Sequence, residues 1–257
     1  MDSPSSYLRP SETLTLPARG WRITPQHALI AAALCWLGFA VIVVLVLTGQ
    51  LSGFDSAGLR YFRTGTDLHS RGSPAMAEAV RDWTALGGVL LRNLVALIAI
   101  AALLLARLRR EATLLAATII SGWLVNTLIK LAVGRPRPAL VSHLTEAGGS
   151  SFPSGHSFNS AVVYVGIALA VAAFSAQRAV RWSLIAGAML MTALIAASRV
   201  WLGVHYPSDA LAGWLGGTAW ALTASAVLYP SAKRMADAAA PQIEAATPGE
   251  LSDRSQV

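Results

Sequence analysis

Three short polar segments stand out in an otherwise apolar chain, and their residue types are suited to holding a phosphate group. The segments are Lys130–Arg137, Pro153–His156 and Ser198–Asp209. The cations of the first segment are Lys130, Arg135 and Arg137. Arginine presents a planar fork of N–H donors that pairs with phosphate oxygens. The first segment therefore favours a binding site for an anion.

The second segment stands just before an apolar run that we expect to form a helix from about Phe158. Backbone N–H groups and the positive end of the helix dipole would then point at a bound anion. Ser154 can cap this helix, bind phosphate, or do both. Gly155 allows the backbone to approach a phosphate oxygen closely.

The third segment combines a histidine with a carboxylate. His205 and Asp209 are four residues apart, so they share a face if this turn is helical. A carboxylate bonded to one imidazole nitrogen sets the tautomer and leaves the other nitrogen as a nucleophile. His156 would be the general acid, because an ordinary histidine pKa of about 6.5 suits proton transfer near neutral pH. Asp209 is the only acid in the three segments, so we expect no two-metal site, and the arginines would stabilise the phosphate charge instead.

Long apolar runs must position these segments. Charged residues make up only 13% of the chain, whereas soluble domains contain about 25%. Six runs reach the length of about 20 helical residues that a bilayer requires: Ala28–Thr48, Ala85–Ala106, Thr113–Val133, Phe158–Ala176, Trp182–Val200 and Ala210–Tyr229. Six buried helices of a soluble protein are the alternative, but a soluble domain of this size cannot bury that many full-length apolar helices without amphipathic helices to cover them. We therefore predict an all-α, polytopic membrane protein with six transmembrane helices.

Basic residues predict the orientation of these helices. They cluster before the first span, in the second and fourth connections, and after the last span. The positive-inside tendency makes those parts cytoplasmic, so both termini are cytoplasmic and the three polar segments face outward. This placement disfavours the alternative that the site cations are only cytoplasmic anchors. The formal charge of +7 could also indicate nucleic-acid binding, but its distribution indicates a bilayer, and we predict no nucleic-acid partner.

The chain divides into three predicted regions. Residues 1–24 form a mobile cytoplasmic tail, residues 25–230 form the membrane domain, and residues 231–257 form a disordered cytoplasmic tail. The single cysteine, Cys35, excludes an intrachain disulfide and a cysteine-built metal site.

Several features between the spans need a role. The longest connection, Leu51–Thr84, contains amphipathic stretches at Ser56–Arg63 and Met76–Trp83. These stretches are expected to lie on the membrane surface, where they either line a path for a lipid or pack over the site. Arg92, in the second span, is expected to extend to the outer headgroups.

The last span contains two small residues at a spacing typical of close helix packing. Gly213 and Gly217 are four residues apart in a GxxxG pattern. Such pairs allow two helix backbones to approach closely. We therefore expect the last helix to pack tightly against a neighbouring helix.

Taken together, the three segments resemble the signature of the type 2 phosphatidic acid phosphatases, the PAP2 family. The pattern Lys-x6-Arg-Pro, then Pro-Ser-Gly-His, then Ser-Arg-x5-His-x3-Asp is matched without departure. The matching residues are Lys130, Arg137, Pro138, Pro153, Ser154, Gly155, His156, Ser198, Arg199, His205 and Asp209. The resemblance spans about Ala28 to Tyr229 and implies a helical membrane core of the PAP2 and haloperoxidase type.

The resemblance also implies a role for each of these residues. His205 would form a phosphohistidine, Asp209 would orient it, and His156 would protonate the leaving group. The phosphate would be held by Lys130, Arg137, Ser154, Gly155 and Arg199. No metal and no cofactor are implied. Arg135 lies outside the signature, so its assignment to the anion site is our own inference.

The leading hypothesis is a phosphatase of lipid phosphates or diphosphates in the inner membrane. Undecaprenyl diphosphate, phosphatidate and phosphatidylglycerophosphate are candidate substrates, because apolar lipid chains leave no readable pattern. A lipid phosphotransferase with the same intermediate, a vanadate-dependent haloperoxidase-like enzyme and a transporter are alternatives. The sequence does not indicate an oligomeric state.

Overall fold

The fold is all-α, as predicted. The only strands among the described residues form one short β-hairpin between the second and third helices. In the computed structural model, residues 25–175 and 177–245 are described, with side chains over 26–175 and 177–227. The predicted tail over residues 1–24 lies outside the described residues. The elements are α1 (Pro25–Leu47), α2 (Ser52–Tyr61), β1 (Arg63–Thr64), β2 (His69–Ser70), α3 (Pro74–Ala85), α4 (Val89–Leu105), α5 (Arg109–Val133), α6 (Gly155–Ala172), α7 (Arg178–Trp201) and α8 (Pro207–Ala245).

The number of spans is smaller than predicted within the described part of the chain. α1, α5, α6 and α7 are each long and apolar enough to cross a membrane. A fifth span results if α3 and α4, which are bent by 43° at the break between them, count as one. The break contains Gly87 and Gly88, and glycine lowers helix stability by about 1 kcal/mol relative to alanine. The count of six is therefore not confirmed.

α8 differs from the prediction at its end. It begins at Pro207 and continues to Ala245, although we expected a disordered tail from residue 231. Residues 246–257 lie outside the described residues.

α6 is the central helix, and it begins earlier than expected. It packs against α5, α7 and α8 and is buried along most of its length. It starts at Gly155 rather than at Phe158, because Ser154 has an extended backbone and its Oγ accepts a hydrogen bond from the N–H of Ser157 at 3.4 Å. Polar residues thus occupy the first turn of α6, where the N–H groups of Gly155 and His156 precede the helical hydrogen bonds and can bind an anion.

The two glycines of α8 hold its first turns against the start of α6, as their spacing predicts. A Cβ at Gly217 would lie 2.1 Å from the carbonyl oxygen of Phe158, and one at Gly213 would lie 2.7 Å from that of Ser154. No side chain fits at such distances. The close approach brings the second and third polar segments together at one end of the helices.

We expect Gly217→Ala to lower stability and activity together. The new methyl group would push α8 away from α6 at the carbonyl of Phe158, and such overpacking typically costs about 1–3 kcal/mol. Thermal unfolding in detergent measures the change. Gly187→Ala in α7 is the matched control, since a Cβ there has no neighbour within 4 Å. An unchanged melting temperature for Gly217→Ala would contradict this account of the packing.

The connection Leu51–Thr84 packs over the start of α8, next to the polar segments, in agreement with one of its two predicted roles. Leu59 and Asp55 on α2 are buried rather than exposed on a membrane surface. Arg63 is also buried, and it donates a hydrogen bond to the carbonyl of Trp201 at the end of α7 (2.9 Å). These contacts fix the turn between α7 and α8, in which His205 lies.

Candidate active site

Residues from all three polar segments line one cavity of about 260 Å³ at the C-terminal ends of α5 and α7 and the N-terminal end of α6. The lining residues predicted from the sequence are Lys130, Arg137, Gly155, His156, Arg199 and His205. The loop Glu146–Ser150 completes the wall. The fold therefore collects side chains that are far apart in the chain into one cationic pocket.

His205 lies between this pocket and a carboxylate. The imidazole is buried, and its Nε2 is 3.1 Å from Nη1 of Arg137. Because a guanidinium can only donate a hydrogen bond, Nε2 accepts and the ring proton resides on Nδ1. Nδ1 faces Oδ2 of Asp209 at 3.6 Å and Oγ of Ser151 at 3.4 Å. The lone pair of Nε2 is thus on the pocket side, as a nucleophile requires.

Asp209 is held by several donors, which sequence reasoning did not find. Its Oδ2 accepts hydrogen bonds from the hydroxyl of Ser151 and from the backbone N–H of Tyr206. Its Oδ1 accepts from Nη1 of Arg135 at 2.6 Å. Ser151 lies next to both the imidazole and the carboxylate, so it helps to set their relative position. Its place two residues before the Pro-Ser-Gly-His segment was the only available signal.

Burial and charge shift the pKa values of both members of this pair. Burial, together with the charges of Arg137 and Arg199, lowers the pKa of His205 to about 4 against the opposing effect of Asp209. Burial alone would raise the pKa of Asp209, but His205, Ser151 and Arg135 hold the pKa of this carboxyl below its usual range. At neutral pH the pair is therefore a neutral imidazole beside a carboxylate.

The three phosphate-binding cations predicted from the signature are held in place by carbonyl and hydroxyl groups. Nζ of Lys130 donates to the carbonyl of Ser150 at 2.7 Å, and Nη2 of Arg137 donates to that of Gly148 at 2.6 Å. Nη1 of Arg199 donates to Oγ1 of Thr84 at 3.1 Å. Their charges are not cancelled by these neutral partners, so the pocket keeps a positive potential suited to phosphate oxygens.

Ser154 has a different position from the other predicted phosphate ligands. Its side chain is completely buried and caps α6, and it is not among the residues that line the pocket. The capping role expected from the sequence is confirmed. The phosphate contact of Ser154 stays a prediction.

Arg135 does not belong to the anion site, so our inference from the sequence was wrong. Its guanidinium bonds Asp55 and Asp209 at 2.7 and 2.6 Å and lies over the ring of Tyr206 at 4.1 Å. Asp55, an acid outside the three polar segments, is buried beside this pair. No sequence signal distinguishes Asp55 from the other acids of the connection Leu51–Thr84.

Arg92 does not reach the outer headgroups, contrary to expectation. It is buried, and its Nη1 donates to the carbonyl of Gly87 at 3.2 Å. A Cβ at Gly87 would lie 3.3 Å from Cδ2 of His156. The break between α3 and α4 thus packs directly against the imidazole of His156 and limits its movement.

No cluster of three or more metal-ligating side chains occurs in the part of the chain that the structure describes. The metal-independent reaction implied by the sequence stays a prediction.

Comparison with known families identifies the segment that contains the pocket. A family model described as the PAP2 superfamily matches residues 110–233. Residues 110–233 belong to the PAP2 superfamily. The predicted resemblance is confirmed, and every residue predicted for the site lies inside the matched PAP2 segment. Asp55 and Thr84, which contact site residues, lie outside it.

Two curated relatives agree with this assignment. The chain is 37% identical over 94 residues to phosphatidylglycerophosphatase B and 33% identical over 97 residues to undecaprenyl-diphosphatase BcrC, both of Bacillus subtilis. These matches cover 35% and 36% of this chain and 45% of each relative, so the chain spans about half the length of the curated relatives it matches.

The fold matches the crystal structure of a transmembrane PAP2-type phosphatidylglycerolphosphate phosphatase from Bacillus subtilis. The TM-score is 0.67 at 23% identity, over 79% of this chain and 96% of the other. This similarity supports the membrane fold.

Proposed function

We propose that this protein is a membrane phosphatase that hydrolyses the terminal phosphate of lipid phosphates or diphosphates. The observation that carries the proposal is the position of His205, with one ring nitrogen beside Asp209 and the other directed at a pocket lined by Lys130, Arg137 and Arg199. Phosphoryl transfer through a covalent intermediate needs a nucleophile, a carboxylate that orients it and a site for the anion. Here the nucleophile lies between the other two.

The reaction follows from the arrangement in two steps. Arg137 bonds a phosphate oxygen and frees Nε2 of His205, which attacks phosphorus while the bond to the lipid oxygen breaks. His156 gives its proton to that leaving oxygen. In the second step His156 takes a proton from water, the water oxygen attacks the phosphohistidine, and inorganic phosphate leaves. The cations stabilise charge on the three transferring oxygens throughout.

The lipid class of the substrate follows from the surroundings of the pocket. Helices that are long and apolar enough to cross a membrane carry the pocket at their ends, so a phosphate headgroup can enter while its chains remain in the bilayer. The names of the relatives suggest phosphatidylglycerophosphate and undecaprenyl diphosphate as substrates to test first.

Phosphate release from a panel of pure lipids tests the proposed activity. The purified protein in detergent is given phosphatidylglycerophosphate, phosphatidate, undecaprenyl diphosphate and a lipid without phosphate. We expect inorganic phosphate from at least one lipid phosphate, in the presence of a metal chelator. A product phosphorylated on an added acceptor would indicate phosphotransfer instead, and no release from any lipid would contradict the proposal.

We propose that the pocket faces the outer side of the inner membrane, with both termini in the cytoplasm. The distribution of lysine and arginine among the connections supports this orientation. A cysteine introduced at Thr145, in a Cys35→Ser background, should react with a membrane-impermeant maleimide in intact spheroplasts. Reaction only after lysis would reverse the orientation.

Protonation of the nucleophile His205 is not expected to limit activity at mildly acidic pH. His205 attacks in its neutral form, and its pKa is about 4, below the ordinary value of about 6.5. The imidazole therefore stays neutral as the pH falls from 7 to about 5 and becomes protonated only near its lowered pKa. The acid limb of kcat/KM, corrected for ionisation of the substrate, measures this. A limb centred near pH 6.5 would contradict the lowered pKa.

A further inference from the structure

A buried chain of charges lies behind His205, on the side away from the pocket. Oδ1 of Asp209 accepts from Nη1 of Arg135 at 2.6 Å, and Oδ2 of Asp55 accepts from Nη2 of the same guanidinium at 2.7 Å. The hydroxyl of Ser208 donates to Oδ2 of Asp55 at 2.7 Å and accepts from Arg135 at 2.8 Å. We call Asp55, Arg135, Ser208 and Asp209 the clamp. It joins α2, the loop after α5 and the start of α8.

The clamp contains two carboxylates and one guanidinium, so it carries one negative charge. Both carboxylates are almost completely buried, with 1% of Asp55 and none of Asp209 exposed. A buried charge is costly unless it is paired and hydrogen-bonded. Without Asp55, Arg135 and Asp209 would form a neutral ion pair. The second carboxylate therefore changes the charge that the clamp presents to its neighbour.

That neighbour is the imidazole of His205. Two arginines lie near the ring, and Glu146 is the one acid among the residues that line the pocket. Arg137 from the loop after α5 and Arg199 from α7 both lower its pKa, and Asp209 opposes them. His156, on α6, and Lys130, on α5, line the same pocket. Phosphorylation at Nε2 of a ring that keeps its proton on Nδ1 gives the ring a positive charge. A negative group behind the ring stabilises that charge as it develops.

We propose that Asp55 is a positioning residue for the reaction at His205, because it shares Arg135 with Asp209, orients that carboxylate and keeps the clamp negative. The inference rests on the proposed phosphohistidine chemistry. It assigns a role to the outer connection, since Asp55 lies outside the matched PAP2 segment. Asp55 does not contact the substrate.

A purely structural role for Asp55 makes a different prediction. Oδ1 of Asp55 accepts a hydrogen bond from the backbone N–H of Ser208 at 3.0 Å, in the first turn of α8, so the carboxylate could act only as a tie between α2 and α8. An asparagine at this position keeps a side-chain oxygen for that hydrogen bond but removes the charge. Asp55→Asn therefore separates the two roles.

A double-mutant cycle tests the electrostatic role. We expect Asp55→Asn to lower kcat about tenfold, within the range measured for coupled neighbours, while KM stays within about twofold. We expect Arg135→Gln also to be slower, because Asp209 loses a hydrogen-bond donor. The double variant should be no slower than Arg135→Gln. Asp55 acts on Asp209 through Arg135, so its carboxylate has no effect on Asp209 once the guanidinium is removed. Asp82→Asn, an exposed acid in the same connection, is the matched control and should match the unmodified protein.

Two results would overturn the proposal. The first is an unchanged kcat for Asp55→Asn, or effects of the two single substitutions that multiply in the double variant. The second is a loss of kcat that only follows a smaller folded fraction, which thermal unfolding of each variant would reveal. The second result would mean that Asp55 only connects α2 to α8 and stabilises the fold.

A measurement without turnover separates failure of this proposal from failure of the proposed function. Histidine labelled with ¹³C at Cε1 allows the titration of His205 to be followed by NMR in detergent, with the signal assigned by its loss in His205→Ala. Arg135→Gln removes a positive charge near Asp209 and should raise the midpoint by at least about 0.5 pH unit. Asp82→Asn should leave it unchanged. An identical midpoint in Arg135→Gln would overturn the clamp even if the protein is an active phosphatase.

Discussion

His205→Ala is expected to lower phosphate release by about 10⁴-fold or more, the scale of loss seen when a catalytic nucleophile is removed. The imidazole contacts Asp209 on one side and lines the pocket on the other. Its loss leaves the cations in place but removes the atom that attacks phosphorus. Release of phosphate from the preferred lipid of the panel measures the effect.

The covalent intermediate provides the decisive control for this variant. Rapid quenching of a reaction with ³²P-labelled substrate should trap an acid-labile, base-stable phosphoenzyme in the unmodified protein and none in His205→Ala. His69→Ala is the matched control, because this histidine is highly exposed in the outer hairpin and should leave activity unchanged. Retained activity in His205→Ala, with the protein folded, would rule out the mechanism.

His156→Ala is expected to lower hydrolysis of a lipid substrate by about 10²–10³-fold, the usual contribution of a general acid. His156 lines the pocket on α6 and packs against the break between α3 and α4. Its proton is needed most when the leaving alkoxide is a strong base. An aryl phosphate such as p-nitrophenyl phosphate has a good leaving group, so its first step should depend far less on His156.

The same variant should accumulate the phosphoenzyme with the aryl substrate. Without His156, the first step continues but the attacking water has no base, so a burst of p-nitrophenol is followed by slow release of phosphate. Stopped-flow absorbance and rapid-quench labelling measure the two steps separately. Equal losses for the lipid and the aryl substrate, with no burst, would mean that His156 is not the proton donor.

These two histidines and their partners show why the site needs more than its signature. The PAP2 segment contains the proposed nucleophile, general acid and phosphate-binding cations, but Thr84 bonds Arg199 and Asp55 bonds Arg135 from outside that segment. In a third contact of this kind, Nε of Arg81 donates a hydrogen bond to the carbonyl of Leu144, in the loop beside the pocket. The connection Leu51–Thr84 is therefore part of the structure that positions the site, and not only a link between helices.

The sequence by itself determined the helical class and six of the residues that line the pocket. Apolar runs of bilayer length require helices, because each backbone polar group must be bonded within its own helix. Residues such as His205 and Arg137 were recognisable because their chemistry is rare in an apolar chain and their spacing in the signature is local.

Only the tertiary structure decided how the polar residues divide between binding and support. Arg135 and Arg137 are two residues apart and chemically identical, yet one bonds Asp55 and Asp209 while the other faces the pocket. The bond to Asp55 joins residues 80 positions apart, and nothing local marks that acid among its neighbours. Long-range packing, such as that of α6 against the glycines of α8, sets which partner each cation meets, and with it the charge beside His205.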